Sequence, residues 1–65
     1  MTNRSEFRAI YHDHDGKAHV IRPQNSAEDT EDGMAFLLEH YVESGYATGG
    51  HLEAYVAHIG WVVCD

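Results

Sequence analysis

Glu6-Phe7-Arg8-Ala9-Ile10-Tyr11-His12-Asp13-His14-Asp15-Gly16-Lys17-Ala18-His19-Val20-Ile21-Arg22 is the stretch whose reading decides the fold. Phe7, Ala9 and Tyr11 alternate with Arg8, Ile10 and His12. A period of two is the mark of a strand with two unlike faces. Asp15-Gly16 follows, a strong signal for a two-residue hairpin loop, because both central positions of such a turn need positive φ. The chain then returns as a second strand over 17–22, and Pro23, which has no N–H for a ladder, ends it. With Asp15 and Gly16 as the loop, His14 faces Lys17, His12 faces His19, Tyr11 faces Val20, Ile10 faces Ile21 and Ala9 faces Arg22. One face would carry Phe7, Ala9, Tyr11, Ala18 and Val20 and is expected to meet the core. The other would carry Arg8, Ile10, His12, His14, Lys17, His19 and Ile21.

Downstream, residues 24–32 are polar, and Ser26 or Thr30 can cap a helix whose first turn is rich in acids. From Met34 the apolar residues fall at helical spacing: Met34, Leu37, Leu38, Tyr41 and Val42. Gly45 is a natural stop. Thr48-Gly49-Gly50 reads as a loop. Residues 52–64 hold Tyr55, Val56, Ile59, Trp61, Val62 and Val63 and read as a strand, with Gly60 as a bulge or bend. A competing reading makes 51–58 a short helix, since Leu52, Tyr55 and Val56 also fit that spacing. The expected fold is α+β in the order β-β-α-β: a three-stranded antiparallel sheet with one helix packed on one face, as a single domain over residues 1–65.

A chain of 65 residues has room for one thin core and little more. An enclosed catalytic cleft is hard to build at this size. The hydrophobic fraction of 43% is that of a globular chain. Cys64 is the one cysteine, which excludes a disulfide framework. No apolar run approaches a membrane span, and Met1 to Glu6 lacks the apolar segment of a signal peptide, so a reducing cytoplasm is the expected compartment.

Charge is the stronger clue. The net charge is −7, from 11 acids against four Lys and Arg. All four bases (Arg4, Arg8, Lys17, Arg22) precede residue 23. From there on come Glu28, Asp29, Glu31, Asp32, Glu39, Glu43, Glu53 and Asp65, with no Lys or Arg. Such self-repulsion costs stability, and its field disfavours direct binding to nucleic acid or anionic membranes. On a helix that starts early enough, Glu28, Asp32, Glu39 and Glu43 cluster opposite the apolar stripe, and Phe36 falls beside them. One reading is a solvated helix face. The other is a contact face, in which Glu28, Asp29, Glu31, Asp32, Glu39 and Glu43 meet Arg and Lys of a basic protein surface and Phe36 anchors the contact.

Other constellations are weaker. His12, His14 and His19 would share one hairpin face near Asp13 and Asp15. Their order matches no zinc or EF-hand loop, so no metal or other cofactor is expected. Cys64 with His58 or His51 could be written as a nucleophile and base, but it stands beside the last residue, where packing is the simpler role. Gly49-Gly50 has no neighbouring Lys and reads as a turn, not a phosphate loop. The chain is expected not to be an enzyme. An antitoxin-like dimer, joined through an edge strand at 55–63, is the alternative to a contact helix.

Taken whole, the chain resembles the small acidic anti-CRISPR proteins of phages and mobile elements, in particular inhibitors of type I and, among them, type I-C systems. The likeness rests on the segment Glu28-Asp29-Thr30-Glu31-Asp32 and on the helix Met34-Ala35-Phe36-Leu37-Leu38-Glu39-His40-Tyr41-Val42-Glu43, within a compact acidic α/β domain. The resemblance implies a host-cell inhibitor that binds a type I surveillance (Cascade) complex. Several such proteins mimic duplex DNA and occupy the groove where the DNA-binding subunit reads the motif beside its target. It implies no contact residue position by position.

Overall fold

The computed structural model describes residues 4–64. Residues 1–3 and Asp65, the last of the eight acids above, lie outside the described residues. The elements are β1 (Arg4–His12), β2 (Ala18–Ile21), α1 (Glu31–Glu43), β3 (Gly49–Val56) and β4 (Gly60–Val63). The fold is α+β, with an antiparallel sheet of order β2-β1-β3-β4 and one helix packed against β1 and β3. The sheet therefore has four strands, not three. The apolar run expected as one strand over 52–64 turns back on itself. Its turn uses His58 at a φ of 69°, and the Ile59 N–H donates to the Val56 carbonyl at 3.1 Å. Gly60, expected as a bulge within a strand, opens the return strand instead. The competing short helix at 51–58 does not form, because residues 51–56 pair with β1 and 57–58 turn the chain toward β4.

The hairpin lies where Asp15-Gly16 puts it, but its register differs by one residue. The Asp13 N–H donates to the Lys17 carbonyl and the Gly16 N–H to the Asp13 carbonyl, each at 3.0 Å. Asp13 and Lys17 thus close a three-residue loop, His14-Asp15-Gly16, in which Gly16 alone takes a positive φ of 84°. Ala9 pairs with Ile21, Ile10 with Val20, Tyr11 with His19 and His12 with Ala18. A slip of one residue turns every β2 side chain to the opposite face. Ile21 is in the core, and Val20 is 47% exposed on the far side of the sheet. His19 joins the helix side, its ring stacked on Tyr11 at 5.0 Å between centroids. His12 lies on the other face, so the three hairpin histidines do not share one.

Local chemistry sets both ends of α1. Thr30 is the N-cap: its backbone is extended and its Oγ1 accepts from the Gly33 N–H at 2.9 Å. At the other end Gly45 takes a positive φ of 82°. Its N–H donates to the Val42 carbonyl at 3.1 Å, and the Tyr46 N–H reaches back to the Tyr41 carbonyl at 3.0 Å. These two bonds are the Schellman closure of a helix. Met34 is fully buried, with Leu37, Leu38 and Tyr41 packed around it against Ala9, Tyr11, Ile21 and Leu52. Val42, expected in that stripe, is exposed at its edge. Three of the six buried apolar residues are alanines and only Met34 is a large, fully buried side chain. The core is as thin as the length requires.

Candidate functional site

The helix begins at Glu31, so the acids upstream of it and the acids on it have different fates. Glu28 sits in the polar turn before the cap, where its Oε1 accepts from the Gln24 N–H at 2.8 Å. Asp29 accepts from the Phe7 N–H at 3.0 Å. In the β1–β2 register the residue opposite Phe7 would be Pro23, which cannot continue the ladder, and the Asp29 carboxylate takes that place. Glu31 is half-buried in the first helical turn.

Asp32, Phe36, Glu39 and Glu43 remain. Their spacings of four, three and four residues place them within about 60° of one another on the helix surface, opposite Met34. All four are exposed, Phe36 to 72%. Among the described residues none of the three carboxylates has an ion-pair or hydrogen-bond partner. Of the seven expected contact residues, the structure gathers these four on one stripe and leaves Glu28, Asp29 and Glu31 off it.

The stripe runs about 16 Å from Asp32 to Glu43 at about 1.5 Å per residue. Three carboxylates over that length make a sparser line of charge than even one strand of B-DNA, at about 3.4 Å per phosphate. Such a face can meet a few chosen guanidinium or ammonium groups while Phe36 supplies apolar contact.

The sheet face away from the helix holds a different kind of charge, which the sequence reading missed. Arg8 donates through Nε and Nη2 to Glu53 Oε1, both at 2.7 Å, and its guanidinium lies 4.0 Å from the Trp61 ring centre. His51 Nε2 meets the other carboxylate oxygen at 2.9 Å. The His51 and Arg8 bonds hold the Glu53 carboxyl below its ordinary range, against the opposing pull of burial. Arg8 and Glu53 face each other across β1 and β3, a pairing that only the strand order reveals.

Two of the three hairpin histidines, His14 and His19, brace the turn. Asp13 Oδ1 accepts from the Asp15 and Lys17 N–H groups, each at 2.9 Å, and Oδ2 accepts from His19 Nε2 at 2.7 Å. The His19 bond, then those backbone bonds, lower the Asp13 carboxyl. His14 Nε2 donates to the Gly45 carbonyl at 2.7 Å, tying the hairpin tip to the helix end. Among the described residues no three His, Cys, Asp or Glu side chains converge as a metal site would need. Cys64 is half-buried, its N–H bonded to the Leu52 carbonyl at 2.9 Å, while His51 is turned to Glu53. No described helix is long and apolar enough to cross a membrane.

No protein-family model matches the chain, and neither a curated protein nor a solved structure is significantly similar to it.

Proposed function

We propose that this chain is a non-enzymatic binding protein that sets the Asp32, Phe36, Glu39 and Glu43 face of α1 against a basic protein surface. The observation that carries the reading is Phe36: a phenylalanine 72% exposed amid three carboxylates that have no counter-charge among the described residues. A merely solvated face has no use for it. Buried aromatics and charge-assisted contacts to Arg dominate interface energetics, and this stripe offers both. The chain's net charge of −7 adds long-range steering, which makes association fast and salt-sensitive.

The resemblance to acidic anti-CRISPR proteins names the surface: the DNA-binding subunit of a type I surveillance complex, of type I-C in particular, occluded where it reads target DNA. In this reading the stripe stands in for selected phosphates and not for the whole duplex line, and Phe36 makes up the difference. The alternative, an edge-strand dimer, has less in its favour. The run that would supply a long free edge is split, and β4 at the edge spans only Gly60–Val63.

The test is capture of a type I surveillance complex by the full chain and by D32K/E39K/E43K. The native chain is expected to capture it and the triple variant to lose capture with its melting temperature intact. Equal capture by both overturns the acidic-face mechanism. Failure of the native chain to bind overturns the choice of partner.

A further inference from the structure

Tyr46 is a side chain that neither the core nor the acidic stripe explains. The helix closure fixes its backbone, with its N–H on the Tyr41 carbonyl at 3.0 Å, yet its ring is 62% exposed. That ring stands edge-on to Tyr41 at 5.4 Å and 85°, and lies 5.8 Å from Tyr11; Tyr11 and Tyr41 are 5.2 Å apart. With His40 and Ser44 the three tyrosines wall an open cavity of about 310 Å³. That is the low end for small-molecule sites, the size for one side chain or a small organic ion.

The electrostatics of the cavity choose its occupant. It is lined by the three tyrosine rings, the His40 ring and hydroxyls, and no Lys or Arg is among its walls. It opens beside the C-terminal end of α1, where the helix macrodipole is negative. The surrounding chain is strongly acidic. The helix end and the chain's net charge both disfavour an anion and favour a cation. Aromatic rings beside hydroxyl oxygens suit a planar, weakly hydrated cation better than a compact, strongly hydrated ammonium.

We propose that this tyrosine cavity binds a guanidinium group. It is a separate site from the acidic stripe, at the C-terminal end of the same helix. The guanidinium can come from an arginine of a protein partner or from a free small molecule.

The experiment titrates N-acetylarginine amide, and N-acetyllysine amide for comparison, into the full chain and follows ring resonances by NMR. Expected are saturable shifts confined to Tyr11, Tyr41, Tyr46 and His40 at millimolar arginine probe. Binding of the lysine probe, and of the arginine probe to Tyr46→Ala, should be about threefold weaker, the size of a cation–π contact at an exposed ring. Tyr46→Phe, which keeps the ring, should bind nearly as the native chain does and guards against a folding defect in the alanine variant. D32K, about 12 Å along the helix from His40, should leave the shifts unchanged, so the cavity can stand or fall apart from the acidic face. No saturable shift, equal shifts in Tyr46→Ala, or equal binding of the lysine probe overturns the proposal. Lost capture of a surveillance complex by Tyr46→Ala would identify the source as a partner's arginine; unchanged capture, with the probe still bound by the native chain, would identify it as a free molecule.

Discussion

Glu53 and Glu43 are glutamates ten positions apart that do opposite things. Glu53, on β3 in the middle of the sheet, has one oxygen on Arg8 at 2.7 Å and the other on His51 at 2.9 Å, with a side chain only 16% exposed. Glu43, in the last turn of α1, is exposed and has no partner among the described residues. It also sits at the helix end where the macrodipole disfavours an anion. Asp13, Glu28 and Asp29 belong with Glu53, each accepting hydrogen bonds that hold a turn or a strand edge. Asp32 and Glu39 belong with Glu43. Acids of the first kind are part of the fold. Of the second kind only Asp32, in the first turn of α1, gains from the helix dipole; Glu39 and Glu43 return nothing to the isolated chain, which is why a partner is the natural place to look for their use.

The sharpest way to break this division is Glu53→Ala. It leaves Arg8 against Trp61 without its carboxylate, in a pair whose members are 19% and 16% exposed. Losing one member of a fully buried pair costs more; here about 2 kcal/mol is expected. In a domain this small that lowers the melting temperature by about 10 °C in thermal denaturation. Next comes Asp29→Ala, which strands the Phe7 N–H and should cost about 1 kcal/mol in urea unfolding. Asp29→Asn keeps an acceptor oxygen and should recover most of that loss.

The pH dependence sharpens the same contrast. Glu53 and Asp13 both ionise below their ordinary values of 4.5 and 3.8 when folded. Their contribution is fully present above those values and is lost as pH falls through them toward the folded-state values, because the unfolded chain takes up protons first. Stability measured down an acid series should therefore fall more gently in Glu53→Gln than in the native chain. The smallest effect belongs to the stripe. Glu43→Gln should change stability by no more than about 0.5 kcal/mol, and upward. A loss there as large as that from Glu53→Ala would erase the distinction between the two kinds of acid.

The helix was readable in advance because its signals are local. Gly45 and the apolar spacing from Met34 need no knowledge of the rest of the chain, and the Asp32, Phe36, Glu39, Glu43 stripe follows from the same period, whereas the start stood open between Ser26 and Thr30 and falls at Thr30. The hairpin was readable in place but not in register. Asp15-Gly16 serves a two-residue loop and also a three-residue loop with Gly16 alone at positive φ, and the Asp13 side chain, which accepts from Asp15 and Lys17, belongs to the second. The β3–β4 turn was hidden because its central positive-φ residue is His58, and because Gly60 at its base, also at positive φ, reads equally well as a bulge within one strand. Glu28 and Asp29 were grouped with the stripe because their bonds to Gln24 and Phe7 depend on where the chain goes between them. The tyrosine cavity draws on β1, α1 and the residue after the helix closure, and no window of sequence contains all three.

The pairing of β1 with β3 also sets how the chain can fold. Each hairpin, β1–β2 and β3–β4, closes over a few residues and can form in microseconds. The central ladder joins Arg8 to Glu53, 45 residues apart, and everything between must first be gathered in. Loop-closure entropy is lost before any of those contacts form. Two fast hairpins therefore wait on one slow docking step, and α1, lying across both strands of the central pair, is the element that can bring them together. Stopped-flow refolding should show a single slow phase whose rate falls when Met34, at the centre of that crossing, is cut to alanine.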